Sequence, residues 1–288
     1  MRISDAELEA IIQEDIGYGD LTSQALGLDT QTGVMRFVSR SEILVLALMP
    51  EAARMCSLLG LEVVFCQESK SLIKKGALLL EVRGEASALH QAWKSVQNLL
   101  DYSCGIATYT HELVTKAKEI NPDIVVATTR KNPPYLKKIA LSAVRAGGGI
   151  AHRINLSETL LIFGHHRTFF PTQEALEIAV QKAKKQNPEK KLVIEAKTQS
   201  EALAFAKMGA DALQLDKFSL EDLASTSQAL RNYNPQIKII ATGGITKENV
   251  QSYAALDVDM IVTSSPYFAK PADVKVEMFA EGENFLKI

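Results

Sequence analysis

Apolar residues change their spacing near residue 120, and the change splits the chain into two textures. Before it, short apolar runs near 34–39, 43–48, 61–66 and 77–83 predict strands, and a helix begun by Pro50 and stopped by Gly60 lies among them. Ser4 followed three residues later by Glu7 is a reciprocal capping pair, which predicts a helix over 4–14. The Gly- and Asp-rich run Glu14 to Thr22 cannot continue it. Leu89, Trp93, Val96, Leu99 and Leu100 recur at helical spacing, so 85–120 is read as helix. Cys104-Gly105 is expected to interrupt it and make a hinge.

Beyond Pro122, apolar strands alternate with amphipathic helices. Strands are expected near 124–128, 159–163, 192–196, 211–215, 237–241 and 259–263. Helix starts are marked by Thr172, by Thr198 with Glu201, by Ser219 with Asp222, and by Thr246. Repeated β-α units imply a parallel sheet, either a six-stranded incomplete barrel or an open doubly wound sheet. In both, loops after the strands form the ligand site. The predicted division is an α+β domain over 1–112 and an α/β domain over 113–270, with the tail 271–288 free to return to the first.

The 47% hydrophobic and 23% charged residues describe an ordinary globular mixture, and a net charge of −2 offers no field for nucleic acid or an anionic membrane. Asp5, Glu7 and Glu9 near the start argue against a signal peptide, so a cytoplasmic protein is expected. Ile43 to Met49, the longest apolar run, is far too short to span a bilayer. Cys56, Cys66 and Cys104 are odd in number and lack metal-ligand spacing, which predicts reduced, buried thiols and neither disulfide nor structural metal.

Candidate chemistry gathers after the predicted strands. Thr129-Arg130-Lys131 follows an apolar run; Asn132-Pro133-Pro134 reads as a helix start, and Leu136, Ile139, Ala140, Ala143 and Val144 give that helix a face to pack on the preceding strand. Gly147 stops it. Gly147-Gly148-Gly149 then brings His152 and Arg153 back to the same rim, where four cationic or titratable groups suit a small anion. The alternative is a solvated basic loop.

Thr242-Gly243-Gly244 between a strand and a helix start, with Ser264-Ser265 after the next strand, suits a phosphate. A tight turn would explain the glycines equally. Asp216 at a strand end is placed for ribose hydroxyls or Mg²⁺, or else caps a helix before Lys217. His165-His166, read as strand neighbours, cannot share a metal. No Walker loop, dinucleotide glycine fingerprint or His-Glu-x-x-His helix is present.

Together these residues resemble the quinolinate phosphoribosyltransferases, the carboxylating nicotinate-nucleotide pyrophosphorylases, and most nearly their ModD branch from molybdenum-transport loci. The resemblance is carried by Glu14 to Ser23, by Asn98 with Ser103 to Thr108, by Thr129-Arg130-Lys131, by Gly147 to Gly149 with His152-Arg153, and by Thr242 to Ile245. It implies an N-terminal α/β sandwich, an incomplete six-stranded α/β barrel, and a homodimer with shared active sites, a higher homo-oligomer being left open. It also implies a transferase taking phosphoribosyl pyrophosphate with Mg²⁺ and a small aromatic acid. Arg130, His152 and Arg153 would hold the acid and Lys131 the pyrophosphate. Glu195 and Asp216 would serve the ribose or metal, and Gly243, Gly244 and Ser264 the 5′-phosphate.

Four departures bear on specificity. Phe163 stands where the family shows a pocket lysine, and Lys94 where an arginine reaches the partner's site, which loses the planar fork. Lys197 replaces a carboxylate near the ribose, and Thr128 replaces an aspartate. These changes predict an acceptor other than quinolinate, tied to molybdenum use. A non-catalytic ligand-binding or regulatory protein on the same scaffold is the competing expectation.

Overall fold

The computed structural model describes residues 1–281. The chain begins with α1 (Asp5–Ile16), α2 (Leu21–Leu26), β1 (Thr32–Ser39), β2 (Ile43–Val45), α3 (Met49–Leu58), β3 (Glu62–Cys66), β4 (Leu72–Lys74), β5 (Leu78–Glu85) and α4 (Ala86–Ile120). Then come β6 (Val125–Thr128), α5 (Lys137–Ala146), β7 (Ile150–Ala151), β8 (Leu160–Ile162), α6 (Gly164–Arg167), α7 (Gln173–Gln186) and β9 (Leu192–Ala196). Last are α8 (Gln199–Lys207), β10 (Ala212–Asp216), α9 (Leu220–Tyr233), β11 (Lys238–Thr242), α10 (Val250–Ala254), β12 (Met260–Thr263) and β13 (Val274–Ala280). One compact unit holds Met1–His111, Pro133–Gly148 and the chain from Tyr267; the other holds Glu112–Asn132 and Gly149–Pro266.

In the first unit, Ser4 and Glu7 cap α1 reciprocally, as their spacing predicts. An antiparallel sheet in the order β13-β1-β5-β3 packs Met35, Phe37, Leu80 and Val82 into one core with Leu8, Met55, Val96 and Leu100 from the helices. The tail returns here as far as residue 281, with β13 paired to β1 from Gly33↔Ala280 to Ser39↔Val274, and 282–288 lie outside the described residues. Burial pushes the Cys56 thiol up to about 12 and the Cys104 thiol up to about 11, whereas Cys66 is only half-buried.

Two expectations are corrected in this unit. Cys104-Gly105 does not interrupt α4, a single helix of 35 residues. A Cβ at Gly105 would stand 2.4 Å from the Lys270 carbonyl oxygen, so this glycine admits the returning tail. The second correction concerns α5. It starts at Lys137, after Tyr135 at φ 63; Asn132 and Pro133, each preceding a proline, are driven away from helical ψ and do not begin it. Its end lies against α4: a Cβ at Gly147 would stand 2.3 Å from the Ala107 carbonyl oxygen and 2.6 Å from Thr110 Cβ. Residues 133–148 thus group with the first unit, although the sequence assigns them to 113–270. Of the three glycines only Gly148 takes positive φ, at 89.

The second unit is an incomplete parallel barrel of seven strands, β7-β6-β12-β11-β10-β9-β8. Six match the expected runs. The seventh, β7, has two residues and carries no readable periodicity. Both faces are buried, as parallel sheets require. Ala127, Leu161, Val193, Ala212, Ile240 and Val262 form an inner cluster, while Val126, Leu192, Ile194, Leu213, Ile239 and Ile261 pack outward with the helices. Thr172, Thr198 and Ser219 cap α7, α8 and α9. Thr246 starts a turn and not the helix itself: its Oγ1 accepts the Glu248 N–H at 3.4 Å and its carbonyl oxygen the Val250 N–H at 3.0 Å, but five-residue α10 begins only at Val250. Among the described residues, no helix is long and apolar enough to cross a membrane.

Candidate active site

Side chains alternate along a strand, so each residue two beyond an inner-cluster member also faces inward. Counting from Ala127, Leu161, Val193, Ile240 and Val262 reaches Thr129, Phe163, Glu195, Thr242 and Ser264; counting four from Ala212 reaches Asp216. All lie at strand C-terminal ends. Register aligns them further, with Asp216 opposite Thr242 and Thr263 opposite Thr128. The Thr129 N–H donates to the Thr263 carbonyl oxygen at 3.1 Å and the His152 N–H to that of Thr128 at 3.0 Å, which continues the rim through the loops.

Charge distinguishes the two ends of this sheet. At the strand starts Arg231 bridges Asp257 at 3.0 Å and Asp259 at 2.9 Å, and Lys238 meets Asp259 at 2.8 Å. At the strand ends Arg130, Lys131 and Lys217 make no ion pair among the described residues. An anionic ligand therefore finds unneutralised cations at the strand ends.

Glu195 is held above the usual carboxylate range by burial and then by the neighbouring Asp216 carboxylate; the Gly164 N–H, Lys197 and Arg167 act against this. Gln214 Nε2 donates to it at 3.3 Å. His152 is held below its ordinary value by burial and then by Arg153. It also lines a cavity of about 1030 Å³ with Val193, Ala212 and Ile240 and with Arg231, Asp257 and Asp259, so it borders a space that opens at the strand starts, the end opposite the expected rim.

Arg153 differs from expectation. Burial and then Arg130 hold its pKa below the ordinary value, and Glu158 acts against them. Yet Arg153 Nη2 already donates to the Leu156 and Thr159 carbonyl oxygens at 2.7 and 2.9 Å, and Nε is buried without a partner. Its guanidinium is thus committed first to holding the loop 153–159.

Gly243 and Gly244 take φ 97 and 72. The helix terminus expected behind them is absent, so any phosphate contact there comes from this loop itself. Ser265 is tied back to Thr263: its N–H donates to Thr263 Oγ1 at 3.0 Å and its hydroxyl lies 3.1 Å from the same atom. Ser264 keeps its hydroxyl without a hydrogen bond among the described residues. Asp216 does not cap a helix, since Ser219 caps α9. Nor are His165 and His166 on a strand; they lie in α6, where the Phe163 N–H donates to His166 Nδ1 at 3.0 Å. Lys94 sits in the first unit, with Nζ 3.0 Å from Gln97 Oε1 and 4.4 Å over the Trp93 ring.

Residues 106–277 match the family description "Quinolinate phosphoribosyl transferase, C-terminal domain", and residues 20–104 match the N-terminal domain of the same family. The chain belongs to the quinolinate phosphoribosyl transferase family. A relative named "Putative pyrophosphorylase ModD" from Pasteurella multocida is 40% identical over 273 residues, covering 95% of this chain and 96% of the relative. A "Probable nicotinate-nucleotide pyrophosphorylase [carboxylating]" from Archaeoglobus fulgidus is 36% identical over 202 residues, 69% of this chain and 76% of its own. The crystal structure of NadC from Streptococcus pyogenes superposes with a TM-score of 0.86 at 23% identity, covering 97% and 99% of the two chains, which shows the shared fold.

Within this family member, three features of the rim escaped the sequence. Gln214 reads as an ordinary strand residue, but its period-two position marks it as inward. Arg167, paired with Glu201 at 2.9 Å, joins residues 34 positions apart. Lys217 carries no signal beyond following Asp216. No group of three or more His, Cys, Asp or Glu among the described residues is arranged to hold a metal.

Proposed function

We propose that the strand-end rim of the second unit transfers a phosphoribosyl group from phosphoribosyl pyrophosphate to a small aromatic acid other than quinolinate. The observation that carries this reading is the inward alignment of Glu195, Asp216, Thr242 and Ser264 beside the Gly243-Gly244 loop, under unpaired Arg130 and Lys131. Family membership supplies the reaction class.

In the proposed reaction the bond from ribosyl C1 to the pyrophosphate oxygen breaks, and the ring nitrogen of the acceptor bonds to C1. Positive charge develops on the ribosyl centre, and negative charge on the leaving group. Glu195 and Asp216, stacked on adjacent strands, face the ribose and stabilise the first. Arg130 and Lys131 meet acid and pyrophosphate. Gly243, Gly244 and Ser264 hold the 5′-phosphate and fix the ribose for in-line attack. Mg²⁺ fits this donor set: it is commonly bound by one or two carboxylates plus phosphate oxygens, so Asp216 suffices as the chain's contribution. Held there, it would supply positive charge to the leaving pyrophosphate. A homodimer in which Lys94 serves the partner's site, and a link to molybdenum use, belong to the same reading.

Phe163 supports the altered acceptor. Its ring packs on the inner cluster and lies parallel to His166, centroids 5.9 Å apart at 17°. An apolar wall there disfavours a second carboxylate. The test is pyrophosphate release from phosphoribosyl pyrophosphate and Mg²⁺ across a set of aromatic acids. Turnover with a monoacid supports the reading. Binding of phosphoribosyl pyrophosphate with no release by any acid would leave a binding protein instead. Gly244→Glu, which places a carboxylate where open space surrounds a φ of 72, should abolish binding of phosphorylated ligands.

A further inference from the structure

Lys217 follows Asp216 at the end of β10 with φ 59, a left-handed conformation that side chains rarely adopt. Its N–H donates to the Thr242 carbonyl oxygen at 2.8 Å, tying the end of β10 to the end of β11. Gly243 lies against it. A Cβ on Gly243 would stand 2.5 Å from Lys217 Cγ, 2.9 Å from Lys217 N and 3.0 Å from Asp216 Oδ1. The aliphatic stem of Lys217 therefore rests on the bare backbone of Gly243, an approach that only glycine permits. The ammonium, beyond that stem, makes no ion pair or hydrogen bond among the described residues.

A structural role explains none of this. Glycine or asparagine would tolerate the left-handed φ at 217 better, and a neutral residue would serve the backbone hydrogen bond equally. What lysine adds is a cation anchored beside two glycines whose backbone a ligand can approach. Its neighbour Asp216 repels phosphate but accepts a hydroxyl proton. The adjacent pair therefore divides a sugar phosphate between them, the carboxylate taking a sugar hydroxyl and the ammonium the phosphate.

We infer that Lys217 recognises a phosphate monoester held in the Gly243-Gly244 loop and sets the preference of this site for a phosphorylated sugar. The inference rests on the phosphate reading of that loop. Calorimetric titration of the full chain with ribose 5-phosphate tests it. Lys217→Met keeps the stem and removes the charge, and should weaken ribose 5-phosphate by roughly tenfold to a hundredfold, the loss expected for one charge-assisted contact. Lys217→Arg should recover most of the affinity. Lys217→Gly relieves the left-handed conformation, so its melting temperature should hold or rise while affinity still falls; a purely structural residue would move both the same way. Unchanged affinity in Lys217→Met overturns the inference. Gly244→Glu separates the two failures. If it abolishes binding while Lys217→Met does not, only the role of Lys217 is lost. If ribose 5-phosphate binds Gly244→Glu as it binds the natural chain, the phosphate loop itself is misplaced, and the inference falls with it.

Discussion

Glu195 and Asp216 end neighbouring parallel strands and face the same interior, and Asp216 makes Glu195 harder to ionise. Burial is the larger cause, so the two contributions can be separated. Asp216→Asn should lower the Glu195 pKa, but only part of the way to its ordinary value, because burial remains. Carboxyl-carbon NMR titration of both proteins would show it. An unchanged Glu195 titration in Asp216→Asn would mean that the carboxylates do not share a site.

Arg130 and Arg153 should separate binding from stability. Arg153 Nη2 donates to two loop carbonyl oxygens, and the residue is 7% exposed, so Arg153→Ala strands those acceptors. The expected loss is about 1.5–3 kcal/mol, read as a lower denaturation midpoint. Arg130 is exposed and unpaired, so Arg130→Ala should leave the midpoint within about 0.5 kcal/mol of the natural value. The same variant should weaken anionic ligands. Equal stability of the two variants would contradict this division of labour.

The alternating strands and inward-facing strand-end residues of the second unit were legible because both faces of a parallel sheet are buried, and because Thr172, Thr198 and Ser219 cap helices locally. Contacts between residues distant in sequence were not legible. Gly105 reads as a helix breaker until Lys270 is seen against it, and Gly147, which does end α5, gives no local sign of Ala107 beneath it. Arg153 reads as a ligand residue because nothing local announces Leu156 and Thr159 as its partners. Lys217 shows the same limit for conformation: its left-handed φ is imposed by the junction of β10 with β11, not by its own side chain.

Asp101 gives a pH dependence in the first unit. Its carboxyl is raised to about 6, chiefly by burial; the Val274 N–H, donating to Oδ1 at 2.9 Å, opposes the rise, Asp273 adds to it and Lys94 reduces it. A folded pKa above the unfolded one means that the folded state holds the proton more tightly. The associated stability is present below about pH 4 and lost as pH rises through about 6. Asp101→Asn keeps an acceptor for Val274 without the charge. Relative to it, the natural chain should lose roughly 1–2 kcal/mol between pH 4 and 7.5, a figure already discounted for the half-exposed position. Parallel denaturation curves for the two proteins would reverse the assignment.

Phe163→Lys tests the acceptor. The ring lies at the end of β8 and packs against the inner cluster. Arg167 is poorly placed to supply a missing cation, since it is paired with Glu201 at 2.9 Å and lies 4.8 Å over the Phe205 ring. His166 is stacked on Phe163 and accepts its N–H. A second carboxylate on the acceptor would thus meet an aromatic wall, and an unpaired buried carboxylate is costly. The natural chain should turn over quinolinate poorly. A lysine at 163 restores a charge-assisted contact worth about 1.5–3 kcal/mol, so quinolinate turnover should rise by roughly tenfold to a hundredfold in kcat/KM. Monoacid turnover should fall in the same variant, because the stacking surface is gone. The partly buried ring also packs on the core, so the melting temperature of the variant must be measured alongside. Efficient quinolinate turnover by the natural chain would sink the altered-acceptor reading, and a folded Phe163→Lys with no gain would move Phe163 out of the pocket wall.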